Sequence, residues 1–117
     1  MKRSEFKNLL QERVLFLDGA YGTEFFKSEY KIDLIEFLNI KEPSAVAKIQ
    51  KEYILAGADI LLINAFSANR LKLRAHGYEE RNKHIGSAVK IAKSVANGKL
   101  VFGGIFSLCV IDLQKKK

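Results

Sequence analysis

The sequence predicts an α/β chain on parallel strands, arranged either as a small sheet or as part of a (β/α)8 barrel. Three observations carry that expectation. Short apolar runs alternate with segments whose apolar residues recur at helical spacing. The runs "VLFLD", "ADILLIN" and "KLVFGGIF" are continuous rather than alternating, as in strands covered on both faces. Glycine follows the amphipathic segments where helices would stop. The order helix, strand, helix, strand, helix, strand implies βαβ units with right-handed crossovers. A complete barrel takes about 250 residues, and this chain has 117.

Taken in order, "SEFKNLLQER" places Phe6, Leu9 and Leu10 at i, i+3 and i+4, with Ser4 able to cap the first turn. "VLFLD" then reads as a buried first strand. The stretch "GAYGTEFFKSEYKIDLIEFLNIKEP" is irregular and helical only in part. Pro43 or Ser44 opens a helix whose Val46, Ile49 and Tyr53 share a face, and Gly57 fits its left-handed end. "ADILLIN" is the second strand. "SANRLKLRAHG" is a short helix closed by Gly77, with His76 placed to favour its C-terminus. In "NKHIGSAVKIAKSVANG" an apolar stripe runs through Ile85, Ala88, Val89, Ala92 and Val95, with His84 on the solvated side and Gly98 as the stop. "KLVFGGIF" is the third strand, and "LCVIDL" is a candidate fourth before the polar "QKKK".

Composition narrows the classes. At 48% hydrophobic residues the chain has the material for a core. No apolar run approaches the roughly 20 residues of a membrane span, and no signal-peptide core is present, so the expectation is a cytoplasmic protein without a membrane partner. The net charge of +7 is scattered among acids and concentrated only in the terminal "KKK", which argues against a specific nucleic-acid partner. One cysteine, Cys109, excludes an intrachain disulfide and a cysteine metal cluster, and it reads as a buried small hydrophobe. His76 and His84 stand eight apart, not at the i, i+4 spacing of helical ligands.

In parallel α/β folds ligands meet the C-terminal ends of the strands. Asp18, Asn64 and Gly103-Gly104 end the three strands and would share one rim. The turn Asp18-Gly19-Ala20-Tyr21-Gly22-Thr23 offers successive backbone N–H groups that can hold a carboxylate or phosphate. It has neither the dinucleotide glycine order nor the Walker lysine. The same residues also suit a plain tight turn with Asp18 as its cap. Asn64 could donate and accept at a ligand, or cap the next helix, while Phe66 packs inside. Glu24 and Tyr21 have no evident acid–base partner.

In combination these stretches resemble a known family. "RVLFLDGAYGTEF", "LNIKEPSAVAKIQKEYILAGADILLINAFSANRLKL" and "KLVFGGI", spanning Arg13 to Ile105, are similar to the homocysteine S-methyltransferases. The likeness is greatest to the N-terminal homocysteine-binding domain of cobalamin-dependent methionine synthase. The motifs are "LDGAYGTE", "Y-x-x-A-G-A-D-I" from Tyr53 to Ile60, and "N-x-F-x-A-N-R-x-K-L" from Asn64 to Leu73. Two stretches depart from the family. Its "T-N-T-F" stands here as Ile63-Asn64-Ala65-Phe66, so both threonine positions are apolar. Its "G-D-I-G-P-x-G" stands as Gly103-Gly104-Ile105-Phe106-Ser107-Leu108, without the acid or the Gly-Pro turn.

The resemblance implies a partial (β/α)8 TIM barrel, its first three or four parallel strands with intervening helices. Residues 1–105 form the N-terminal part of a homocysteine-binding barrel domain, and residues 106–117 a divergent basic tail. It implies methyl transfer to the homocysteine thiol, giving methionine. Substrate-binding residues carried over are Asp18, Gly19, Ala20, Tyr21, Gly22, Asn64 and Phe66; no catalytic residue and no metal ligand is assigned. Family members use zinc held by three cysteines in later strands, so zinc is not expected to bind this chain. A cobalamin or folate donor belongs only to the full-length context. The expectation is an inactive fragment, truncated after the third strand, either naturally or through an interrupted gene with "SLCVIDLQKKK" read out of frame. The alternative is a non-catalytic α/β fragment that self-associates through open sheet edges.

Overall fold

The computed structural model describes residues 1–27, 34–66, 68–77 and 81–104. The candidate fourth strand, Cys109 and the tail lie outside the described residues. Helix α1 spans Arg3–Glu12, α2 Gly22–Phe26, α3 Leu38–Lys41, α4 Pro43–Leu55, α5 Arg70–Ala75 and α6 Arg81–Val95. A 3-10 turn at Ile35–Phe37 leads into α3. Strand β1 is Ile60–Leu62 and β2 is Leu100–Phe102, paired in parallel with Leu61 opposite Val101.

The first expected strand is reduced, among the described residues, to a single parallel bridge from Leu17 to Ile60. Two carboxylates explain why. A parallel ladder would send the Leu62 N–H to the Asp18 carbonyl and the Phe16 N–H to the Ala58 carbonyl. Instead Leu62 donates to Asp18 Oδ2 at 3.0 Å, and Phe16 donates to Asp59 Oδ2 at 3.0 Å. The remaining rungs are ordinary: Asp18 N–H to the Ile60 carbonyl, and Ile60 N–H to the Phe16 carbonyl. The segment thus lies beside β1 in the expected parallel sense but is stitched at both ends by side chains. Nor is it buried. Val14, Phe16 and Leu17 are 73%, 63% and 56% exposed, because among the described residues only β1 pairs with the segment.

Helices α4 and α6 cover one face of the sheet. Leu61, fully buried, packs with Val95, Ala96, Ile54 and Val101, a burial worth about 1.5–3 kcal/mol for one such side chain. A second cluster joins Phe25, Leu38, Val46, Ile49 and Ile91, with Tyr21 and Tyr53 against it. The α4 face of Val46, Ile49 and Tyr53 is therefore as the spacing predicts. On α6 the buried line is His84, Ala88, Ile91, Ala92 and Val95. This corrects the placement of His84, which is 1% exposed with its ring 5.4 Å from that of Phe37. The irregular stretch before α4 is more helical than expected, since Phe25, Phe37 and Leu38 give its short turns a core to pack on.

The C-terminal ends of α4 and α5 and the turn after α6 follow the sequence. Gly57, Gly77 and Gly98 have φ of +107°, +81° and +83°, the left-handed region that L side chains avoid. The α1 cap is not Ser4: Lys2 takes the N-cap position and its N–H donates to Glu5 at 2.6 Å.

Candidate functional site

The rim expected at the strand ends exists as a cleft of about 530 Å³. Gly19, Ala20, Tyr21 and Gly22 form one wall, and Asn64 and Phe66 stand across from them. Gly104, after β2, also reaches it. Asp18 does not line the cleft; it sits behind the wall and fixes it. Its carboxylate accepts from Leu62 N–H and from the Tyr21 hydroxyl, and that hydroxyl is also 2.7 Å from the Leu62 carbonyl. Gln50 Nε2, fully buried on α4, donates to the same hydroxyl at 3.4 Å. Tyr21 is therefore an anchor rather than an open acid–base group.

Electrostatics follow this enclosure. Burial raises the Asp18 carboxyl above the usual carboxylate range, against the opposing pull of hydrogen bonds from Tyr21 and Leu62. Burial, and then the bond to Asp18, push the Tyr21 phenol above its ordinary value. The Tyr53 hydroxyl, on α4, donates to the Ala20 carbonyl at 2.7 Å and is raised chiefly by burial. The wall is thus held from below by Asp18 and from the side by Tyr53.

Across the cleft, Asn64 is 1% exposed and belongs to a buried amide pair. Its Nδ2 donates to the Ile35 carbonyl at 3.0 Å and to Asn39 Oδ1 at 3.2 Å, while Asn39 Nδ2 donates to the Asn64 carbonyl at 2.7 Å. With both acceptors facing Nδ2, the amide orientation is fixed by the network. That leaves Asn64 Oδ1 buried without a hydrogen-bond partner, as is Asp18 Oδ1. Asn64 does not cap the next helix; Asn69 does, accepting from Lys72 N–H at 2.9 Å. Phe66 is not packed inside but is 61% exposed at the lip.

Sequence reasoning missed the floor of the cleft. Leu34, Ile35 and Glu36 line it, and Asn39 orients Asn64. Their signal was present in "LIEFLNI", where Glu36 and Asn39 interrupt an apolar run and are each 2% exposed. Phe26, 82% exposed, adds a second aromatic lip. The cleft therefore combines a glycine-rich turn, the Asn64 amide and a floor of Leu34 and Ile35 with Glu36, which suits a small zwitterion with an apolar side chain.

Comparison with known proteins bears on the family and the fold. A family model described as homocysteine S-methyltransferase matches residues 15–108. Two solved structures of the homocysteine methyltransferase MmuM from Escherichia coli share the fold. The metallated form superposes with a TM-score of 0.76 at 20% identity, covering 91% of this chain and 42% of that one. The oxidized form gives 0.69 at 21% identity, covering 82% and 38%. The chain thus spans less than half the length of these neighbours.

Proposed function

The chain belongs to the homocysteine S-methyltransferase family, and on that premise we propose that its cleft receives the amino-acid end of homocysteine. It does so as one wall of a (β/α)8 barrel site in which the homocysteine thiol is methylated to give methionine. The observation that carries the reading is that Asn64, whose Oδ1 is buried without a hydrogen-bond partner, lines the same cleft as the glycine turn. The α-carboxylate meets backbone N–H groups of the turn from Gly19 to Gly22. The α-ammonium meets Asn64 Oδ1, with the Asp18 carboxyl behind it. The thiol-bearing chain runs over Leu34 and Ile35 toward Phe66.

A metal is implied by the metallated form of the neighbour. The residues of this chain do not fit zinc. Its sequence holds one cysteine, and among the described residues no group of three or more His, Cys, Asp or Glu is placed to hold an ion. Activation of the thiol is therefore not assigned to these residues, and neither is a cobalamin or folate site. In this reading the chain holds and orients substrate, and on its own it does not transfer methyl groups.

Calorimetry with L-homocysteine, L-methionine and 4-mercaptobutyrate tests the reading. The two amino acids should bind, and 4-mercaptobutyrate, which lacks the α-amino group, should not. Equal binding of 4-mercaptobutyrate would refute the role given to Asn64. A second reading, a self-associating module, is favoured by Val14, Phe16 and Leu17, which are exposed along a segment with one paired flank among the described residues. Gel filtration over a hundredfold concentration range tests it, and a monomer throughout would exclude it.

A further inference from the structure

The turn that walls the cleft is shaped by side chains rather than by a ladder. A parallel ladder would continue past Asp18 by pairing the Ala20 N–H with the Leu62 carbonyl. The Tyr21 hydroxyl takes that carbonyl instead, at 2.7 Å. Gly19 and Ala20 lie in no helix or strand. Among the described residues, neither the Ala20 N–H nor the Tyr21 N–H makes a backbone hydrogen bond.

One peptide of this turn is tied from outside. The Tyr53 hydroxyl donates to the Ala20 carbonyl at 2.7 Å. In a trans peptide the carbonyl and the following N–H point in opposite directions, and the described residues contain no cis bond. Fixing the Ala20 carbonyl therefore fixes the Tyr21 N–H and turns it away from Tyr53. Ala20 and Tyr21 line the cleft, and Tyr53 does not. The hydroxyl is itself well placed to hold this peptide. Its ring lies against Gly19 and stands edge-on to the Tyr21 ring at 6.1 Å, and α4 is anchored through Val46 and Ile49. With Gly19 on one side and Gly22 on the other, the peptide would rotate easily without that bond.

We propose that Tyr53 is a positioning residue, which aims the Tyr21 N–H into the cleft as a preorganised donor to the α-carboxylate of a bound amino acid. It acts through the Ala20–Tyr21 peptide and touches no substrate atom. The inference rests on the reading of the cleft as the seat of an amino acid. It gives a purpose to the tyrosine that opens "Y-x-x-A-G-A-D-I". Phenylalanine there would keep the ring against Gly19 but leave the peptide unheld.

Calorimetry of the whole chain and of Tyr53→Phe, with L-methionine and with L-methioninol, tests it. Methioninol keeps the side chain and the amino group and replaces the carboxylate by a neutral CH2OH. Tyr53→Phe should weaken L-methionine about three- to tenfold, the range for one hydrogen bond. Methioninol should change by less than about twofold, because a neutral group gains less from an aimed N–H. The lost bond is exposed, so water replaces the hydroxyl and the circular dichroism spectrum should not change. Equal weakening of both ligands, or unchanged binding of L-methionine, would overturn the proposal. The wild type alone supplies a second readout: L-methionine should move the Tyr21 amide proton downfield, and methioninol should not. A Tyr21 amide that ignores bound L-methionine would overturn the proposal while leaving the reading of the cleft intact. A wild type that binds neither ligand would refute that reading, and the proposal with it.

Discussion

The Tyr53 hydroxyl donates to the Ala20 carbonyl at 2.7 Å, and its ring fills the space that a side chain at position 19 would need. Helix α4 thereby sets the position of the glycine turn that walls the cleft. A Cβ on Gly19 would stand 2.7 Å from the Tyr53 hydroxyl oxygen and 2.9 Å from Cε1. Gly19→Ala should therefore cost about 1–3 kcal/mol as the ring is pushed off. In a Tyr53→Ala background the same change should add less than about 0.5 kcal/mol, because the obstacle is gone. Urea unfolding of the four variants reads this directly, and additive costs would show that the ring does not occupy that space.

Asn64 supplies the donor for two buried acceptors, Asn39 Oδ1 and the Ile35 carbonyl. Asn64→Ala leaves both without it and should cost about 1–3 kcal/mol. Asn64→Asp places a carboxylate against those acceptors, so its loss should be larger at pH 7 than at pH 4. Thermal unfolding at the two pH values checks both statements, and a pH-independent Asn64→Asp cost would contradict them.

Asp59 holds the other end of the first segment. The Arg13 guanidinium at 3.0 Å, with the Phe16 N–H, lowers its carboxyl to about 2. An unfolded aspartate titrates near about 3.9. The folded value is depressed, so the stabilisation is fully present above about pH 4 and is lost as pH falls toward 2. The urea midpoint of the wild type should exceed that of Asp59→Asn by a constant amount above pH 5. That gap should shrink as pH falls from 4 to 2, and a gap unchanged over that range would refute the assignment.

Asp18 carries the opposite sign. Burial raises its carboxyl, so the folded chain keeps that proton to higher pH than the unfolded chain does. Its contribution therefore falls as pH rises from about 4. Asp18→Asn retains an oxygen for the Leu62 N–H and removes the titration. The variant should gain on the wild type as pH rises from 4 to 7 in urea midpoints; a constant difference across that range would contradict the shift.

The parts of the fold set by local chemistry were legible in the chain. Gly57, Gly77 and Gly98 mark helix ends because the left-handed region is cheap only for glycine. The turn from Gly19 to Gly22 and the Asn64–Phe66 segment meet because both follow parallel neighbouring segments of one sheet. What was not legible depends on distant partners. "VLFLD" reads as buried from its composition, yet its exposure is decided by how many flanks are paired. His84 reads as a surface residue beside Lys83, yet Phe37 from another element covers it. Glu36 and Asn39 read as breaks in an apolar run, and only Asn64, across 25 residues of chain, gives Asn39 its purpose.

The central claim, that the cleft holds the amino-acid end of homocysteine, is tested most directly by amide and side-chain NMR shifts during titration with L-homocysteine. The account predicts saturable, concerted shifts of the Gly19, Ala20 and Gly22 amides and of the Asn64 side-chain amide, absent with 4-mercaptobutyrate. Unmoved resonances at all four positions, or shifts confined to residues outside the cleft, would contradict it.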